Sequence, residues 1–261
     1  MKSAQRWIAC LLCLSLLCAS CVLASAEQPT AVAHRVQGSL VIDGSLEDWD
    51  CSDPICIDQE AQVIRDVQAW EGVEDLSCKV YVMWDEEYLY LAADVAEDTP
   101  YGAIDMLPLD GEDNFKVYLS TDTTLDPQRT EYASNDFLLY LLIDNLYWDT
   151  AFDRSMVPKD ARKRFVSNGM NGGQNVLEGY VVASMETSTG FIYEAMIPWA
   201  CFSNDKIPVY VPKVGDTVNF DFAITDISYP CPGTQYIPQM AWTGDSNINT
   251  DPSLWGRLTF Q

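Results

Sequence analysis

Val80-Tyr81-Val82-Met83-Trp84-Asp85-Glu86-Glu87-Tyr88-Leu89-Tyr90 is the stretch that decides the fold. Lys79 to Trp84 is rich in β-branched and aromatic residues, which favour a pleated, half-buried backbone. Three acidic residues interrupt the run, and Tyr88 to Ala93 resumes it. Two such runs around a short polar turn predict a β-hairpin.

Working outward, the same signal recurs. Phe115 to Leu119 alternates apolar and polar residues, as a half-buried strand does. Phe137 to Ile143 is almost continuously apolar, the pattern of a strand covered on both faces. Leu177–Met185, Phe191–Ile197, Val218–Thr225 and Leu254–Phe260 complete the main set. Gly, Pro, Asn and Asp mark the connections, as in Asn171-Gly172-Gly173 and Pro230-Cys231-Pro232-Gly233. Helical periodicity is absent except for one short turn expected near Pro198–Phe202, where proline opens it. The expected fold is all-β: an antiparallel β-sandwich of immunoglobulin-like or jelly-roll type with short helical turns.

The first 26 residues are set aside. Lys2 and Arg6 precede an uncharged apolar run from Ile8 to Leu23, and Ala24-Ser25-Ala26 offers a small-residue cleavage site. That order is the secretory signal pattern. The expected organisation is a signal peptide over 1–26 and one domain over 27–261, secreted after cleavage near Ala26. Leu17-Cys18-Ala19-Ser20-Cys21 loosely resembles a lipobox, so a lipid at Cys21 is the alternative. No second apolar run is long enough for a membrane helix.

The formal net charge of −24 opposes binding to nucleic-acid phosphates and anionic lipid, and suits neutral partners or cations. Hydrophobic residues at 48% and aromatics at 11% supply a core and argue against disorder. Five of the nine cysteines lie beyond the leader: Cys51, Cys56, Cys78, Cys201 and Cys231. Disulfides are expected outside the cytosol, but an odd number leaves one over and the connectivity open.

Four segments in order carry a family resemblance. They are Val41-Ile42-Asp43-Gly44-Ser45-Leu46-Glu47-Asp48-Trp49; the hairpin above; Gly190-Phe191-Ile192-Tyr193-Glu194-Ala195-Met196-Ile197-Pro198-Trp199 with Val214-Gly215-Asp216 and Phe220-Asp221-Phe222; and Asp251-Pro252-Ser253-Leu254-Trp255-Gly256-Arg257-Leu258. From about Val41 to the C-terminus the chain resembles the family 9 carbohydrate-binding modules and their sandwich-fold relatives. The resemblance implies an antiparallel sandwich with structural calcium and a sugar site, often appended to xylanases. In that family two tryptophans clamp the sugar rings; an aromatic face suits the C–H face of a pyranose. Here the sequence departs from the pattern. The loop Leu107–Asp113 and the stretch Asn247–Thr250 hold no aromatic where the clamps are expected, and Lys116 stands where a carboxylate is usual.

The candidate sugar contacts are therefore Tyr101, Asp113, Lys116, Trp148, Trp242 and Asn249. Trp49, Trp84, Trp199 and Trp255 are read as core. The candidate calcium ligands, implied by the resemblance and by the oxygen preference of hard cations, are Asp43, Glu47, Asp94, Asp98 and Asp226, with Glu97 among the acids that close the second hairpin strand. Only one histidine, His34, is available as a general base, and no GxSxG, HExxH or phosphate-loop motif occurs. The expected function is a secreted, non-catalytic module that binds a poly- or oligosaccharide in support of carbohydrate breakdown. The alternatives are a calcium-stabilised cell-surface interaction protein that has lost the clamp and, last, a divergent glycoside hydrolase.

Overall fold

Within the described residues, each extended run named above contributes a strand in the computed structural model. It describes residues 28–98, 113–142, 164–168, 174–176, 179–203, 207–227 and 236–261. The leader, Tyr101 and Trp148 lie outside the described residues. In chain order the strands are β1 (Thr30–Arg35), β2 (Ile55–Ile57), β3 (Val63–Arg65), β4 (Leu76–Trp84), β5 (Tyr88–Glu97), β6 (Asn114–Ser120), β7 (Asp136–Leu142), β8 (Arg164–Asn168), β9 (Gln174–Val176), β10 (Val181–Glu186), β11 (Gly190–Pro198), β12 (Thr217–Thr225), β13 (Gln239–Ala241) and β14 (Gly256–Phe260). The short turn near Pro198 is a 3-10 helix, Trp199–Phe202.

The hydrogen-bonded order is β10-β11-β5-β4-β1-β14-β12-β6-β7-β8-β9, with β2 on β4, and β13 between β12 and β3. The neighbours are antiparallel except at β1, which runs parallel to both β14 and β4 and so links the two halves of the path. Those halves fold face to face. Phe115 on β6 meets Tyr193 and Phe191 on β11 at ring-centroid distances of 4.7 and 6.3 Å. The core between them holds alternate residues of each strand, among them Val80, Leu89, Val117, Phe220 and Phe222, all essentially inaccessible. This is the sandwich architecture, in which the inward alternate residues of both sheets interdigitate.

The hairpin turn is built by one side chain. Asp85 Oδ1 accepts from the Glu87 and Tyr88 amides at 2.7 Å each, and Oδ2 accepts from the Tyr90 hydroxyl at 2.8 Å. An acidic residue at that place satisfies the amides that a two-strand ladder leaves over. The Asp85 carbonyl also receives the Trp199 indole N–H at 2.9 Å, tying the 3-10 helix to the hairpin.

Each sheet also carries a cover on its outer face. On the β4–β5–β11 sheet, residues 36–50 pack Val36, Leu40, Ile42, Leu46 and Trp49 over Tyr81, Met83, Tyr90 and Ala92. On the β6–β12 sheet, residues 248–255 lay Ile248 and Trp255 over Tyr118 and Ala223. The second cover explains a departure from the sequence pattern. β6 alternates like a half-buried strand but is buried at all seven positions: the cover closes over Tyr118, and Lys116 packs against the Tyr140 ring. β7 reads as buried on both faces, yet Leu138 and Tyr140 remain half-exposed at the margin of that cover.

Candidate functional site

The outer face of β6 presents Asn114, Lys116, Tyr118 and Ser120, since side chains alternate along a strand. Lys116 is only 4% exposed, and its ammonium stands 5.1 Å from the centroid of the Tyr140 ring on β7, its direct cross-strand neighbour. A cation over an aromatic face is attracted by about 0.5–2 kcal/mol, more when water is excluded. Two residues along, the Tyr118 hydroxyl donates to Asn249 Oδ1 at 2.7 Å. Thus two of the sequence candidates, Lys116 and Asn249, belong to one face with Tyr118 and Tyr140.

The cover that borders this face is fixed by its own sequence. Asp251 Oδ1 accepts from the Ser253 amide at 3.0 Å and from the Ser253 hydroxyl at 2.6 Å, capping a 3-10 turn opened by Pro252. Trp255 then donates its indole N–H to the Ile248 carbonyl at 2.8 Å and meets Tyr118 and Tyr132 at 5.5 and 5.3 Å. Asn249, between these anchors, is left exposed at the rim.

Trp242 stands elsewhere. It packs against the interior cluster and on the backbone of Gly256, where an added Cβ would lie 2.3 Å from the indole ring. It also lines a separate cavity near β1 and β2.

Asp113 does not face the sugar candidates. It turns inward and meets Glu97, from the end of β5, and Asp226, just beyond β12. The three buried carboxylates have oxygens within 4.8 Å of one another, and they form the one such group among the described residues. Asp113 Oδ1 accepts from the Ile227 amide at 2.7 Å. Neither oxygen of Glu97 receives a hydrogen bond from a described group. Burial, then the charges of Asp113 and Asp226, hold the Glu97 pKa well above the usual carboxylate range. Buried carboxyl groups at this spacing cannot all stay charged without a counter-cation, because desolvation and repulsion both oppose it. Three clustered carboxylates are the donor chemistry that a hard divalent ion takes.

The other expected calcium ligands fall outside that group. Asp98 is exposed beside it. Asp94 lines a shallow cavity of about 290 Å³ with Asp58 and Lys79. Asp43 and Glu47 are exposed, and their turn is organised by a carboxylate of the protein. Glu194 on β11 accepts the Asp43 amide at 2.8 Å, the Gly44 amide and the Trp49 indole N–H. Gly44 has φ of +88°, and a Cβ there would meet Met185 Cβ at 2.8 Å, so the turn requires glycine on both counts. Burial raises the Glu194 pKa, while these donors act to lower it.

Cys51, Cys56 and Cys78 are free thiols. Sequence reasoning assigned Asp226 to a cation but placed Asp113 with the sugar contacts. Glu97 was named only together with Asp94 and Asp98 at the end of the hairpin strand, because the three carboxylates come together through strand pairing across the sandwich and no local spacing announces it.

Over residues 56–261 the chain matches the family described as carbohydrate family 9 binding domain-like, and it belongs to that family. Among solved structures, the fold is similar to a family 9 carbohydrate-binding module from Caldicellulosiruptor kristjanssonii in complex with cellotriose. That likeness has a TM-score of 0.55 at 17% identity, over 89% of this chain and 93% of that one. The same source's module in complex with glucose gives a TM-score of 0.52 at 17% identity, over 88% and 95% of the two chains. Among curated proteins, the chain is 25% identical over 202 residues to Exoglucanase XynX of Acetivibrio thermocellus. That match takes in 77% of this chain but only 14% of the relative, so the chain spans a small part of that relative's length.

Proposed function

We propose that the protein is a non-catalytic carbohydrate-binding module whose sugar lies on the outer face of β6, β7 and the rim at Asn249. The observation that carries this reading is the grouping of Lys116, Tyr118, Tyr140 and Asn249 on one face, at the place where the family resemblance puts the sugar clamp. The half-exposed Tyr140 ring offers a platform for the apolar face of a pyranose. Asn249 supplies an exposed polar group at the rim, and Lys116, buried beneath Tyr140, holds that ring in place. The clamp tryptophans of the resemblance have no counterpart in this group, so a tyrosine platform carries the stacking. The ligand class is a neutral glucan- or xylan-type oligosaccharide, in support of carbohydrate breakdown.

Glu97, Asp113 and Asp226 are proposed to hold a structural calcium ion, with further oxygens from backbone or water completing its shell. The ion neutralises the buried charge and pins the ends of β5 and β12 to the segment entering β6. We also infer secretion after cleavage near Ala26, with Cys21 lipidation as the alternative. Calorimetric titration with glucose, xylose, cellotriose and xylotriose, in calcium and then in chelator, tests the set. Saturable heat that falls on Tyr140→Ala supports the sugar face. No heat with any sugar, but a calcium-dependent rise in Tm, moves the function to a calcium-stabilised interaction protein.

A further inference from the structure

A buried indole N–H ordinarily finds an acceptor. Among the six described tryptophans, five do so: Trp49 on Glu194, Trp70 on the Leu76 carbonyl, Trp84 on the Ala33 carbonyl, Trp199 on the Asp85 carbonyl and Trp255 on the Ile248 carbonyl. The sixth, Trp242, has no such bond among the described residues, although it is half-buried. It is also the only one of the six that lines the cavity of about 250 Å³ beside β1 and β2.

That cavity is a built slot. One wall is the indole, backed by Gly256. Thr30, Ser52, Asp53 and Pro54 line it with the indole. The Gln62 amide ties two of the lining residues together, donating to the Trp242 carbonyl at 2.9 Å and to the Cys56 carbonyl at 3.1 Å. Asp53 is oriented by His34 Nε2 at 2.8 Å, and the Ser52 hydroxyl donates to Asp50 Oδ1 at 2.7 Å. An aromatic wall, an unused indole donor, a fixed carboxylate and two hydroxyls in a concave space are the elements by which proteins hold a sugar ring. The volume is below the roughly 300–1,000 Å³ of drug-sized sites, which suits a single ring. The carboxylates of Asp50 and Asp53 beside it disfavour an anionic sugar.

We propose that this slot is a second sugar-contact site, taking one neutral pyranose ring and separate from the face that carries Lys116. The proposal rests on the reading of the protein as a sugar binder. The test is a titration of the full ¹⁵N-labelled chain with D-glucose and cellobiose, followed through the tryptophan indole N–H resonances. Trp242→Phe assigns the Trp242 signal. The expected result is a saturable shift of that signal which weakens about fivefold or more in Ser52→Ala/Asp53→Asn, as loss of sugar hydrogen bonds requires, and persists in Lys116→Ala. The wall residues Ser52 and Asp53 are exposed, so the double variant keeps its fold. If sugar moves resonances of the outer face but leaves Trp242 still, or moves Trp242 equally in the double variant, the slot is overturned and the sugar reading stands. If neither sugar moves any resonance, both fall.

Discussion

Glu194→Ala removes one acceptor from three N–H groups and tests how the first family segment is held. The Asp43 and Gly44 amides and the Trp49 indole all end on this carboxylate, and two of the three bonds are buried. Hydrogen bonds to a charged group contribute about 1.5–3 kcal/mol each, and donors left buried add their desolvation cost. The three are not additive, because they share one partner and the cover relaxes together. A loss of about 4 kcal/mol is expected. At roughly 2–4 °C per kcal/mol for a domain of this size, Tm falls by about 8–16 °C. The loss is local at first: residues 36–50 should detach from Tyr81, Met83 and Tyr90 before the sandwich opens. Differential scanning calorimetry gives the Tm, and limited proteolysis read by mass spectrometry gives the place, with new cuts expected between Val36 and Asp50. A Tm change under about 2 °C, or cuts spread evenly along the chain, would refute the idea that Glu194 anchors the turn.

Three further expectations concern stability. Calcium at a hundred times its dissociation constant should stabilise by about 2.7 kcal/mol, raising Tm by about 5–11 °C relative to chelator; Glu97→Gln should abolish the difference. Asp221 is buried and, mainly through that burial, its pKa is pushed up to about 7. Because the folded state then binds more protons than the unfolded one, this group's contribution is present below the unfolded value near 4 and is lost as pH rises to about 7. Asp221→Asn should flatten that part of a denaturation-versus-pH profile measured in chelator, and an unchanged profile counts against the assignment. Gly256→Ala drives a Cβ to 2.3 Å from the Trp242 ring, and such overpacking costs typically 1–3 kcal/mol. Urea unfolding should show that loss with an unchanged slope; a neutral result means that the indole is free to move.

The main strands were legible because each is long enough for its alternation to survive without its neighbours. The β4–β5 hairpin is the clearest, since Asp85 sits in the turn that its own carboxylate closes. β1 was not legible. Its six residues, Thr30–Arg35, carry no strict alternation, and they are extended because β14 and β4 flank them. The burial of β6 and β7 was inverted in the sequence pattern for a similar reason. A cover contributed from residues 248–255, more than a hundred positions away, decides which polar face meets water.

The site was legible in part. Lys116 and Asn249 were found through their place in the family pattern, and the structure puts both beside Tyr118. Tyr140 carried no sequence signal, being one aromatic in an apolar strand. Among the acids, Asp226 was singled out, but its partners Glu97 and Asp113 are distant in sequence and ordinary in composition. In a chain with 39 acidic residues, only the fold distinguishes a buried trio from solvated carboxylates. The turn at Asp43 shows the converse. Acidic residues around a glycine looked like a cation loop, whereas its amides are satisfied by Glu194 from another strand.

The central claim is that the outer face of β6 and β7 binds a neutral sugar. Isothermal titration calorimetry of residues 27–261 with cellotriose and xylotriose, in calcium, tests it most directly when run beside Tyr140→Ala and Lys116→Ala. Saturable binding to at least one of these sugars is expected, with Tyr140→Ala weakening it by about five- to tenfold, as loss of a stacking platform of roughly 1–1.5 kcal/mol implies. Binding of full strength in both variants, or no heat from either sugar in a protein that calcium still stabilises, would contradict it.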